Sequence, residues 1–107
     1  MDRLEKKVEG VRIGPREAGS SEDYSMLLEI MREIHERKTD LKTYEKELFV
    51  NQPRSYFERH AWKRKVALVL HAQNIAKTLG GKLSYNPQNE GIYVDRFREY
   101  TEHGQGD

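Results

Sequence analysis

The 107-residue sequence predicts a mainly α fold: two short amphipathic helices, a linker, one long basic helix and a small C-terminal β-hairpin. Three observations carry that expectation. Tyr24, Leu27, Leu28, Met31 and Ile34 recur at helical spacing, and Leu41, Tyr44 and Leu48 resume the stripe. A helix-compatible stretch without internal glycine or proline then runs from Pro53 to Leu79. Beyond it, "KLSY", "NPQNEG" and "IYVDRF" read as strand, turn and strand.

Residues 1–21 read as an N-terminal arm, in which "VEGVRIG" can form a short strand and Gly14-Pro15 and Gly19-Ser20-Ser21 supply turn and cap chemistry. The first helix is expected at about 22–37, because Ser20 or Ser21 can accept a bond from an orphan backbone N–H and Glu22 and Asp23 suit the positive helix end. Thr39-Asp40 breaks or re-caps the chain, and a second helix follows at about 40–48. "FVNQP" reads as a non-helical link, since proline turns the preceding residue away from helical geometry and itself fits a first helical turn. The long helix is expected from Pro53 to Leu79, roughly 40 Å at 1.5 Å per residue, with Gly80-Gly81 as its stop. Residues 22–81 thus form the helical region, and 82–107 a hairpin extension with a disordered tail, "TEHGQGD". An isolated hairpin is marginal in water, so it is expected to pack on the helices or to pair with "VRI".

Composition narrows the function classes. Only 36% of residues are hydrophobic, 35% are charged, and mean hydropathy is −0.96, toward the solvated end of globular proteins. The absence of cysteine excludes disulfides and thiolate metal sites. The longest apolar run, Val66 to Leu70, is too short to span a bilayer, and "MDRLEKKVEG" lacks the apolar core of a signal peptide. Net charge is only +1, but its distribution is uneven. Residues 53–82 hold seven basic and one acidic side chain, whereas 22–52 and 83–107 each carry −3.

On a helical wheel, Phe57, Ala61, Leu68, Ala72, Ile75, Ala76 and Leu79 share one side of the long helix, flanked by Trp62 and Val69. Arg59, His60, Lys63, Arg64 and Lys77 fall roughly opposite, while Arg54 and Lys65 lie near the apolar side. Val66 and Leu70 sit among the charges, which points to a second protein surface. Surfaces built only for solubility intersperse both signs. Cations with so few acids nearby repel one another until a polyanion arrives, and a phosphate backbone fits that description. Tyr56, His60 and Trp62 lie among the cations where they can stack on unpaired bases, while Phe57 is expected in the core.

From Glu22 to about Lys65, "EDYSMLLEIMREIHERKTDLKTYEKELFVNQPRSYFERHAWKRK" resembles the S-twenty-one family of small-subunit ribosomal proteins of bacteria and mitochondria. That family runs from a short amphipathic helix pair through an aromatic residue and a Tyr-Glu-Lys-Pro-like element into a long basic helix. Tyr24 and Leu28 match apolar positions of its first helix, Leu41 one of the second, Phe49 the aromatic position and Pro53 the proline. "VRIGPRE" matches its opening strand with an insertion. The proline element reads Val50-Asn51-Gln52-Pro53 here, and the helix turns apolar after Lys65. The resemblance implies a structural constituent of the small ribosomal subunit, in the cytoplasm or the mitochondrion, acting near the 3′ end of the rRNA and influencing initiation. It implies phosphate contacts at Arg54, Arg59, Lys63, Arg64 and Lys65, to which the basic face adds His60 and Lys77. It also implies neighbouring ribosomal proteins, which Val66 and Leu70 would touch.

No catalytic site, cofactor, metal, membrane or small-molecule substrate is expected. His60 and His71 lie about three turns apart, too far to share one ion, and His35 and His103 stand alone. Glu29 with Glu33, and Glu45 with Glu47, read as surface carboxylates, and Ser20, Ser21 and Ser25 lack a nucleophile-elbow pattern. Tyr85, Tyr93, Phe97 and Tyr100 are expected to pack in the core. The rival expectation is a helical oligomerisation module, with the stripe from Tyr24 to Leu48 and "VALVL" as its seam, although Lys38 and Glu45 interrupt it.

Overall fold

Three hydroxyl or carboxylate caps set the helical half of the fold, seen in a computed structural model that describes the backbone of residues 5–100 and the side chains of residues 10–96. The Ser20 hydroxyl accepts from the Asp23 N–H at 3.0 Å and starts helix α2 (Ser21–Arg37), after a short helix α1 (Pro15–Ala18). Lys38, at φ 55°, ends α2 in the left-handed region. Asp40 then accepts from the Thr43 N–H at 2.7 Å and starts α3 (Leu41–Val50). Ser55 does the same for the Glu58 N–H at 3.1 Å and starts α4 (Tyr56–Thr78). Gly80, at φ 72°, closes α4 by donating to the Lys77 carbonyl at 3.1 Å.

The sequence expectation differs from this at two places along the helices. Helix α3 continues through Val50 and so absorbs Phe49 and Val50, two of the five residues of the expected link. Helix α4 starts at Tyr56 and not at Pro53, because the Ser55-x-x-Glu58 spacing supplies a hydroxyl cap that outcompetes proline as the starting signal.

Strands β1 (Glu5–Ile13), β2 (Gly81–Asn86) and β3 (Gly91–Tyr100) form one antiparallel sheet in the order β1-β3-β2. The expected hairpin is therefore two strands of a three-stranded sheet, whose third strand contains the "VRI" expected to pair with it, so residues 5–13 belong to the sheet and not to an arm. They pair along β3 from Glu5↔Tyr100 to Ile13↔Ile92. Register places Val11, Val94 and Leu83 in one row and Ile13, Ile92 and Tyr85 in the next, all on the face toward the helices. The expected tail and the packing of Phe97 and Tyr100 lie outside the described side chains.

The core joins that sheet face to Leu27, Ile30, Met31 and Ile34 of α2, Tyr44 of α3, and Leu68, Val69, Ala72 and Ala76 of α4. Each fully buried aliphatic side chain such as Leu27 or Ile92 contributes roughly 1.5–3 kcal/mol relative to exposure. The stripe from Tyr24 to Leu48 is thus spent inside the fold and is not a free oligomer seam. Tyr85 packs against the core beside the His35 ring, whereas Tyr93 departs from expectation and lies on the outer sheet face. There its ring covers Gly10 and its hydroxyl accepts from Asn89 Nδ2 at 2.9 Å.

Candidate nucleic-acid interface

The first turn and a half of α4 stands clear of the body. Every residue from 54 to 61 is exposed. Helix α3 runs alongside α4, and its last turn meets α4 at Trp62, whose indole N–H donates to the Leu48 carbonyl at 2.7 Å. The Trp62 ring also takes Phe49 edge-on, with centroids 5.8 Å apart. Among the described residues, nothing covers the helix ahead of Trp62. Phe57, expected in the core, is 84% exposed, Tyr56 80% and Val50 80%, and Ala61 is exposed as well. Tyr56 and Phe57 touch only edge-on, at 6.0 Å. An uncovered cluster of this kind marks a contact surface more often than a solvated face.

The cations divide into two groups. Arg54 lies in the non-helical stretch before Ser55, outside the helix, and Arg59, His60 and Lys63 project from the exposed end of α4. Among the described residues, Arg54, Arg59 and Lys63 form no ion pair. The Arg59 guanidinium sits 6.0 Å from the centre of the Trp62 ring, a cation–π distance. So aromatic faces and unpaired positive charge share one corner.

The second group departs from the sequence reading. Arg64 turns back to the start of α2, where its Nη2 donates to Asp23 at 3.1 Å and Glu22 at 3.3 Å. Asp23 first, and then Glu22, raise its pKa above the ordinary arginine value. Its charge is compensated within the chain by an exposed pair, which sets it apart from the unpaired cations of the corner. Lys65 is half-buried and its ammonium faces the Tyr44 hydroxyl. Burial pushes the Tyr44 phenol up, and Lys65 opposes that rise. Lys65 therefore belongs to the α3–α4 seam. Lys77 is exposed but lies 14 residues beyond Lys63, roughly 21 Å away along the helix.

Val66 is also corrected. It is 9% exposed and lies on α4 between Trp62 and Gln73, both of which reach α3. It is a structural residue and not a contact for a partner. A wheel assigns it to the charged side because a wheel assumes one neighbour, whereas α4 meets α3 on one flank and α1 and α2 on another. On that other flank His71 Nε2 lies 2.8 Å from the Glu17 carbonyl. Leu70, 42% exposed, remains on the surface as expected.

Sequence reasoning misses Phe49, Val50 and Phe57 as surface groups. The cue is there in part, since α3 is short and α4 long, and the longer helix must overhang. Among the described residues, no three His, Cys, Asp or Glu side chains gather as for a metal ion, and no helix is long and apolar enough to cross a membrane. Compared with family models, curated proteins and solved structures, the chain matches none.

Proposed function

We propose that this chain is an RNA-binding structural protein that engages a single-stranded segment through the α3–α4 corner, and that its assembly is the small ribosomal subunit named by the sequence resemblance. The observation that carries the reading is the run of eight consecutive exposed residues, 54–61, in which Arg54, Tyr56, Phe57, Arg59 and His60 alternate charge with aromatic rings. Unpaired bases stack on such rings with little regard to sequence, while cations track the backbone. Arginine forks match phosphate oxygens, so Arg54 and Arg59 position the strand and do not read it. Arg64, paired with α2 at the surface, and the half-buried Lys65 support the helix.

The test is affinity for a short single-stranded RNA as a function of salt. Removing one cation–phosphate pair shifts the slope of log K against log salt by about 0.7 for single strands. The R54Q/R59Q/K63Q variant is expected to flatten the slope by about 2, whereas R64Q leaves it nearly unchanged. Wild-type protein is expected to co-sediment with small ribosomal subunits. Equal slopes for wild type and the triple variant would overturn the proposal.

A second reading keeps the corner but gives it a protein partner. The aliphatic side chain of Val50, 80% exposed beside the rings, favours it. Salt-independent association with no affinity for RNA would select that reading.

A further inference from the structure

At the other end of α4 lies a cleft of about 480 Å³, within the range of small-ligand sites. Three elements wall it: the first turn of α3, the last turns of α4 and the start of β2. Lys42, Lys46, Lys77 and Lys82 all line it, and Asp40 is the one acid that does. The i, i+4 spacing of Lys42 and Lys46 puts both on the same face of α3. Lys77 and Lys82 arrive from α4 and β2, on either side of the Gly80 turn. Asp40 accepts the Thr43 N–H at 2.7 Å and keeps its negative charge, which lies close enough to Lys82 for the two to attract, so one acid stands against four lysines.

Three arginines of this fold are paired with carboxylates, whereas, among the described residues, Arg54, Arg59 and Lys63 at the far end of α4 are not. Arg37 is bridged to Glu47 at 2.8 Å and to Glu33 at 3.4 Å, Arg64 to Asp23, and Arg32 to Glu90 at 3.5 Å. At the cleft, among the described residues, Lys42, Lys46 and Lys77 form no ion pair. Four lysines around one opening, with Asp40 offsetting one of them, leave a net positive cleft that a concentrated negative charge would stabilise. Lysine heads are compact point charges with three donors each, suited to a group that carries several charges on few atoms. The Thr43 side chain and the Gln73 amide add neutral polar groups to the wall, the amide already donating to Glu45 at 2.7 Å.

We infer that this cleft, at the opposite end of α4 from the aromatic corner, is a binding site for a phosphate-bearing ligand of two or more negative charges, the RNA source among those below resting on the function proposed above. The phosphates can belong to a free nucleoside polyphosphate or to an RNA strand that continues along α4 from Lys63 to Lys77. Carboxylates spaced along an acidic peptide fit less well, because the four lysines surround one opening and are not strung along a groove.

The experiment follows backbone amides of the full chain by NMR at low salt, with pyrophosphate, a nucleoside triphosphate and short oligouridine as probes. Pyrophosphate is expected to shift Leu41–Thr43, Lys77 and Gly81–Leu83 saturably and to leave residues 56–60 unmoved. The K42Q/K46Q/K77Q/K82Q variant is expected to lose about tenfold or more in pyrophosphate affinity, since hydrogen bonds to charged groups are removed. All four lysines are exposed, so the variant folds, and its far-UV circular dichroism checks this. Pyrophosphate raises the melting temperature of wild type but not of the variant, as binding to the folded state requires. If RNA is the source, oligouridine shifts both ends of α4 and pyrophosphate displaces it from the cleft alone. If a free nucleotide is the source, the triphosphate shifts the cleft and oligouridine does not. The proposal is overturned if all three probes leave the cleft amides in place, or if the folded variant binds pyrophosphate as tightly as wild type.

Discussion

Removing both rings at the tip of α4, as Y56A/F57A, separates a stacking surface from a structural one. Tyr56 and Phe57 are 80% and 84% exposed, so the fold has little to lose. Surface substitutions of this kind stay within about 0.5 kcal/mol. Stacking of one base on one aromatic ring is worth about 1–3 kcal/mol. Consecutive residues on a helix point about 100° apart, so the two rings cannot clasp one base between them, and each is expected near the lower half of that range. A loss of about 1–2 kcal/mol per ring corresponds to roughly 5- to 30-fold, and the double variant multiplies the two. The assay is fluorescence anisotropy of labelled oligouridine, with thermal unfolding alongside. Trp62 is the only tryptophan, and its fluorescence reports a base arriving beside the same corner. Wild-type affinity in the folded double variant would refute base stacking here. An affinity loss matched by a large drop in melting temperature would show instead that the rings hold the fold.

Two further outcomes concern the scaffold. Gly81→Ala is expected to destabilise the chain strongly, because the new methyl group would meet the Asp95 carbonyl across the β2–β3 pair. The drop in melting temperature measures this, and a neutral result would show that the strands can shift. Asp40 is held below its usual value of 3.8, first by the Thr43 N–H and then by the Thr43 hydroxyl. A depressed folded pKa means that its stabilising effect is complete above about 3.8 and is lost as pH falls through the folded value. Asp40→Asn is expected to lower stability at neutral pH, with the difference from wild type shrinking as pH falls below about 3.8, and a difference that stays constant into acid would contradict the assignment.

Local signals are legible wherever the physics is local. Ser20, Asp40 and Gly80 end or begin helices for reasons that neighbours in sequence supply. The start of α4 is legible too, but Pro53 competes as a signal with the Ser55-x-x-Glu58 cap two residues later. Statements about reach are the ones that fail. A wheel places Phe57 and Ala61 on the core side of α4 correctly, yet periodicity cannot say that α3 ends its cover at Trp62. Nor can charge counting show that Arg64 meets Asp23, because that meeting joins two helices by packing and not by spacing. The unpaired remainder, Arg54, Arg59 and Lys63, is what the charge excess comes down to at this end of α4. Strand β1 is legible as "VEGVRIG", and its pairing with the hairpin as one of two alternatives, but the register along β3 is set by packing at a distance that local signals do not carry.

That last pairing has a kinetic side. In the sheet order β1-β3-β2, the middle position belongs to the strand that leaves the ribosome after the other two. Helices α2 to α4 can collapse on one another early, since their contacts are close in sequence. Residues 5–13 must wait through the synthesis of everything between before their backbone groups find bonds, and such distant closures slow folding. Until Gly91–Tyr100 emerges, two strand edges stay open to solvent and to strangers.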